Sequence, residues 1–121
     1  MDTKRILVVD DEINQGLLYE QELSDEGYDV DVANSGQKAL ELVKSKEYDL
    51  VVLDIGMPTM DGLETLGKML SMDNRLPVIL NTAYPSYKDN FMSWAADAYV
   101  VKSSDLTELK EKIRESIARR K

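Results

Sequence analysis

The chain of 121 residues contains no cysteine and no histidine. Without cysteine there is no disulfide framework, no thiolate nucleophile and no Cys-based zinc site, and the redox compartment stays open. Without histidine, serine triads, histidine metal cages and phosphohistidine carriers are excluded. Any chemistry must therefore use carboxylates, hydroxyls, Lys, Arg or backbone groups. Positive charge is the minority sign, with 15 basic against 23 acidic residues and a net charge of -8. A nucleic acid gains little from such a surface, because phosphate binding needs Lys or Arg to displace counterions, so no direct nucleic-acid binding is expected. Long apolar runs are missing too. Nothing approaches the roughly 18 residues of a bilayer span, and Ile6 to Val9 is too short for the core of a signal peptide. A cytoplasmic protein with no membrane association is expected.

A composition of 43% hydrophobic and 31% charged residues suits one compact unit, and no linker, repeat or low-complexity stretch divides the chain. Ile6-Leu7-Val8-Val9 is a short β-branched run that stops at Asp10-Asp11, the pattern of a strand buried on both faces. Leu17, Leu18 and Leu23 among polar residues predict an amphipathic helix closed by Gly27. Val30, Val32 and Ala33 suggest a second strand, and Ser35 precedes a helix carrying Ala39, Leu40, Leu42 and Val43. Leu50-Val51-Val52-Leu53 repeats the buried-strand pattern and ends on Asp54. Gly56, Pro58 and Gly62 make a loop before a third helix with Leu63, Leu66, Met69 and Leu70.

Pro77 to Leu80 predicts a fourth strand ending at Asn81-Thr82, with a short helix after it around Asn90 to Ala95. Tyr99-Val100-Val101 predicts a fifth strand ending at Lys102. Asp105-Leu106-Thr107-Glu108 has the form of a capping box, opening a last helix with Leu106, Leu109, Ile113 and Ile117 on its buried stripe. Strands alternating with helices imply an α/β fold: a doubly wound, five-stranded parallel sheet, helices on both faces, flavodoxin-like, in the order 2-1-3-4-5.

In that architecture every strand end opens onto one edge of the sheet, where such folds bind ligands. Those ends carry Asp10 and Asp11, then Asp54, Thr82 and Lys102. Taken singly, each is most simply a helix cap or an exposed residue. Joint placement at the ends of separate strands is what chance rarely produces. Crowded carboxylates demand a cation or a raised pKa. Oxygen ligands without His or Cys point to Mg²⁺, with Mn²⁺ as its substitute, and Lys102 and Thr82 would contact the anion the metal brings.

Four segments together carry a resemblance: Ile6 to Glu12, Asp54-Ile55-Gly56-Met57-Pro58-Thr59-Met60-Asp61-Gly62, Thr82-Ala83, and Tyr99-Val100-Val101-Lys102. In order and spacing they resemble the signatures of receiver domains of two-component response regulators, from Arg5 to about Ala118, so that residues 1–121 read as a single receiver domain. The resemblance implies that Asp54 accepts a phosphoryl group from a histidine kinase or phosphotransfer protein. It implies that Asp10 and Asp11 hold Mg²⁺ with Asp54 and the carbonyl of Gly56, and that Thr82 and Lys102 contact the phosphoryl oxygens. Tyr99 is then a switch aromatic that follows Thr82 and alters the surface of the fourth helix, fifth strand and fifth helix, with Asp97, Lys110 and Arg114 as charged contacts there. Such a module, a monomer or a phosphorylation-dependent homodimer, is no enzyme on outside substrates, since it catalyses only its own phosphorylation and dephosphorylation.

Two positions depart from the family pattern. Ser103 follows the lysine where the family usually has a cis proline, and Ala95 stands where it often has glycine. Gly56 and Tyr84, which flank the expected route of a hydrolytic water, supply no carboxylate or amide to orient one, so a long-lived acyl phosphate is expected. Competing readings are a haloacid dehalogenase-type phosphatase, a flavin-phosphate binder and a receiver-shaped interaction module that takes no phosphoryl group. The first wants an acid two residues after its nucleophile, where Gly56 stands; in the second Asp10-Asp11-Glu12 would repel the phosphate. In the third the key residues would be eroded, and here they are intact.

Overall fold

A computed structural model describes residues 3–54, 62–73, 75–83 and 96–119. The elements are β1 (Arg5–Val9), α1 (Ile13–Asp25), β2 (Asp29–Ala33), α2 (Gly36–Ser45), β3 (Leu50–Leu53), α3 (Gly62–Met72), β4 (Val78–Thr82), β5 (Ala98–Val101) and α4 (Thr107–Arg119). The helix expected around Asn90 to Ala95 lies outside the described residues, so α4 is the helix counted as fifth in the sequence. The strands form one sheet, all parallel, in the order β2-β1-β3-β4-β5.

Alternation along each strand sends side chains to two separate cores. Leu7, Val9, Val51, Leu53, Val78 and Leu80 pack with Ala39 and Leu40 of α2 and Leu66 and Met69 of α3. Ile6, Val8, Leu50, Val52, Ile79 and Val100 pack with Tyr19 and Leu23 of α1 and Leu109 and Ile113 of α4. Both faces are covered, which is why the inner strands read as unbroken apolar runs.

Turn and cap residues act as the sequence leads one to expect at two helix ends. Gly27, at a φ of 99°, ends α1; Tyr28 N–H donates to the Leu23 carbonyl and Gly27 N–H to that of Ser24, the paired bonds of a Schellman motif. Ser35 Oγ accepts from Lys38 N–H at the start of α2. At α4 the capping differs from the expected reciprocal box. Asp105 Oδ1 accepts from the Thr107 amide at 3.0 Å, but the Asp105 amide donates to Ser103 Oγ rather than to Glu108.

The buried face of α1 is only partly the expected one, since Leu23 is buried as expected. Gly16, Tyr19 and Leu23 face the sheet, whereas Leu17 and Leu18 are 56% and 41% exposed. The cause is a close approach at Gly16, where an added Cβ would meet Val32 Cγ1 at 2.8 Å. The glycine lets α1 settle onto β2, and that rotation turns Leu17 and Leu18 outward. No helix among the described residues is long and apolar enough to cross a membrane.

Candidate functional site

β1 and β3 pair with Val9 opposite Leu53, so the next residues, Asp10 and Asp54, emerge side by side at the sheet edge. Both are buried, and their amides are fixed by the Ala33 and Val9 carbonyls, each at 3.0 Å. Asp10 Oδ1 accepts from the Glu12 amide at 2.9 Å, which turns the chain so that Asp11 stands exposed beside the pair. One carboxylate oxygen from each of Asp10, Asp11 and Asp54 lies within 4.8 Å of the others.

Lys102 completes the cluster from β5. Its amide donates to the Thr82 carbonyl at 2.7 Å, and its Nζ lies 2.9 Å from Asp10 Oδ2 and 3.1 Å from Asp54 Oδ2. No peptide bond among the described residues is cis, so Lys102 and Ser103 are joined in trans. Burial pushes the Asp10 carboxyl above its usual range, although Lys102 and the Glu12 amide pull the other way. Burial pulls the Lys102 ammonium down, but its hydrogen bonds to Asp10 and Asp54 outweigh that and hold it above the ordinary value. One ammonium thus faces three carboxylates. The deficit of positive charge, with hard oxygen donors only, fits a divalent cation such as Mg²⁺.

Thr82 is fully buried at the end of β4. It alternates with Val78 and Leu80 onto the α2–α3 face, and Tyr99, half-buried, packs against the same core. Gly56, Tyr84 and Ala95 lie outside the described residues. Lys110 Nζ bonds Glu22 of α1 at 2.9 Å, Asp97 Oδ2 accepts from the Val78 amide, and Arg114 is within electrostatic reach of Tyr28.

Two residues beside the cluster were not anticipated. Asn81, buried in β4, and Tyr19, buried in α1, lie close enough for their side chains to interact. The available signal was a carboxamide directly after the apolar run Val78-Ile79-Leu80 of β4.

Residues 6–114 match the response regulator receiver domain family. This chain belongs to that family. Among curated relatives, it is 37% identical over 117 residues to the response regulator ArlR of Staphylococcus saprophyticus, covering 95% of this chain and 53% of ArlR. It is 40% identical over 116 residues to the transcriptional regulatory protein ZraR of Klebsiella oxytoca, covering 93% of this chain and 26% of ZraR. The receiver therefore spans about half or less of the length of these relatives.

Solved receivers agree in fold. The response regulator TrrA of Thermotoga maritima, in complex with Mg²⁺–BeF, superposes with a TM-score of 0.92 at 49% identity, covering 94% of this chain and 99% of that one. TrrA in complex with the histidine kinase ThkA gives a TM-score of 0.89 over 94% and 98% of the two chains. A CheY-like receiver of Methanospirillum hungatei gives 0.93 at 32% identity, over 98% and 97%. The doubly wound, flavodoxin-like fold in the order 2-1-3-4-5 is that of these receivers.

Proposed function

We propose that this receiver is a phosphoryl-accepting switch in which Asp54 takes the phosphoryl group of a partner histidine kinase or phosphotransfer protein, with residues 1–121 acting as one unit. The observation that carries this reading is that Asp54 stands beside the Asp10–Asp11 pair with the Lys102 ammonium 3.1 Å away. A carboxylate oxygen of Asp54 forms a bond to phosphorus as the donor's phosphorus–nitrogen bond breaks, leaving the imidazole on the donor. Lys102 supplies positive charge for the transferred oxygens.

Asp10, Asp11, Asp54 and the Gly56 carbonyl are the groups that would hold Mg²⁺, or Mn²⁺ in its place. Bound there, the ion offsets the repulsion between the acceptor carboxylate and the phosphoryl oxygens. The Mg²⁺–BeF complex of TrrA supports this reading, and its complex with ThkA supports a kinase donor. On this chain the apolar side chains of Ile13, Leu17 and Leu18, exposed on α1, offer such a donor a docking surface; Ile13 and Leu17 border a groove that includes Asp10.

Thr82 moves toward the bound phosphoryl group and Tyr99 follows. Their location on one face of the sheet supports that coupling, which would change the surface of β5, α4 and the helix expected around Asn90 to Ala95. The protein acts in the cytoplasm as a monomer or phosphorylation-dependent homodimer, and catalyses only its own phosphorylation and dephosphorylation. Acetyl phosphate with Mg²⁺ tests the reading: it predicts one covalent phosphoryl group, and an unmodified protein contradicts it.

A further inference from the structure

The register that aligns Val9 with Leu53 also aligns Leu53 with Leu80. One residue further on, Asp10, Asp54 and Asn81 form a single row across three adjacent strands. They continue the alternation of Val8, Val52 and Ile79, so all three project toward the face covered by α1 and α4. Lys102 begins beyond β5, yet its Nζ reaches Asp54 past β3 and Asp10 past β1. Since β4 lies between β5 and β3, the lysine stem must cross the width of β4, about 5 Å, where Asn81 projects.

Beneath this row lies Tyr19. Its hydroxyl lies within interaction range of the Asn81 side chain and within electrostatic reach of Lys102, Asp10 and Asp54. Both residues are at most 3% exposed. Packing alone does not call for them. The preceding inward residue of β4 is Ile79, and the partner of Asn81 on β5 is Val100, both in an apolar core. A leucine or valine at 81 over a phenylalanine at 19 would fill similar space without two buried polar groups that must satisfy each other.

We propose that Asn81 and Tyr19 are positioning residues for phosphoryl transfer: the carboxamide, held by the phenol, forms the floor under the Lys102 stem and keeps its ammonium over Asp54. The pair thereby ties α1 to the end of β4, next to Thr82. This rests on the phosphoryl-accepting reading of the site.

The test uses acetyl phosphate and Mg²⁺ on the full chain, with Tyr19→Phe, which removes only a hydroxyl, and Asn81→Leu. Tyr19→Phe is expected to lower the rate at saturating donor by roughly tenfold, with Mg²⁺ affinity unchanged. The ζ-ammonium NMR signal of Lys102, assigned by its loss in Lys102→Met, should shift in the same variant. A change in melting temperature without a change in rate, or a slower rate with the lysine signal unmoved, overturns the positioning role. If Asn81→Leu fails to fold, Tyr19→Phe alone decides. A wild-type protein that takes no label overturns the underlying reading instead, and is distinguished by that.

Discussion

Nζ of Lys102 stands 2.9 Å from Oδ2 of Asp10, so a buried carboxylate of the proposed metal site already has an ammonium as its partner. A divalent ion must share Asp10 with that ammonium. Replacing the lysine by methionine leaves Asp10 and Asp54 facing each other without it. Lys102→Met should lower metal-free stability by about 1–3 kcal/mol, the cost of stranding buried charged groups. Addition of Mg²⁺ should then raise the melting temperature by more than it does in wild type, by mass action. Calorimetric melts with and without the ion check this; an equal or smaller Mg²⁺ effect in the variant goes against it.

Asp10 illustrates a conflict between stability and function. Because burial raises its pKa, the folded metal-free protein disfavours the ionised form. Stability from this group therefore rises as pH falls through its folded pKa, and is lower at neutral pH. Asp10→Asn should melt a few degrees higher than wild type at neutral pH without metal, and should lose the Mg²⁺-dependent rise. A variant less stable than wild type in the absence of metal contradicts the assignment.

At the opposite edge of the sheet the sign is reversed. Burial alone would raise the Asp31 carboxyl, but hydrogen bonds from Tyr48 Oη at 2.7 Å and Lys46 Nζ at 3.2 Å hold it below its ordinary value of 3.8. Its contribution is present above that value and lost as pH falls through the folded pKa. Tyr48→Phe should cost about 1 kcal/mol at neutral pH, with the gap to wild type narrowing in acid. Urea titrations at neutral pH and in acid measure both; a gap that is constant with pH removes Asp31 from the explanation.

Gly16 separates helix propensity from packing. Alanine there gains about 1 kcal/mol of intrinsic propensity, but its Cβ would stand 2.8 Å from Val32 Cγ1, on a stiff β-branched side chain. Gly16→Ala should be net destabilising, and Val32→Ala should recover part of the loss when combined with it. A stabilised single variant shows that β2 gives way easily.

The strands were legible because a sheet covered on both faces needs nearly continuous apolar runs, and each run here ends on a polar residue. That also made Asp10, Asp54 and Lys102 legible, since parallel strands bring their C-terminal ends to one edge. Helix orientation was less so. Leu17 and Leu18 look like core residues, but the close contact of Gly16 with Val32 fixes which side of α1 faces inward. Lys110 reads as a free surface charge until α4 lies beside Glu22 of α1 and Glu26 just after it. Tyr19 and Asn81 come from distant elements, and only the register of β3 with β4 shows that Asn81 continues the row of the acids.

The central claim is that Asp54 accepts a phosphoryl group. Intact mass after incubation with acetyl phosphate and Mg²⁺ tests it most directly. The wild-type protein should gain about 80 Da, one phosphoryl group on a carboxylate nucleophile, and Asp54→Asn should gain nothing. Equal labelling of the two proteins would place the acceptor elsewhere and contradict the account.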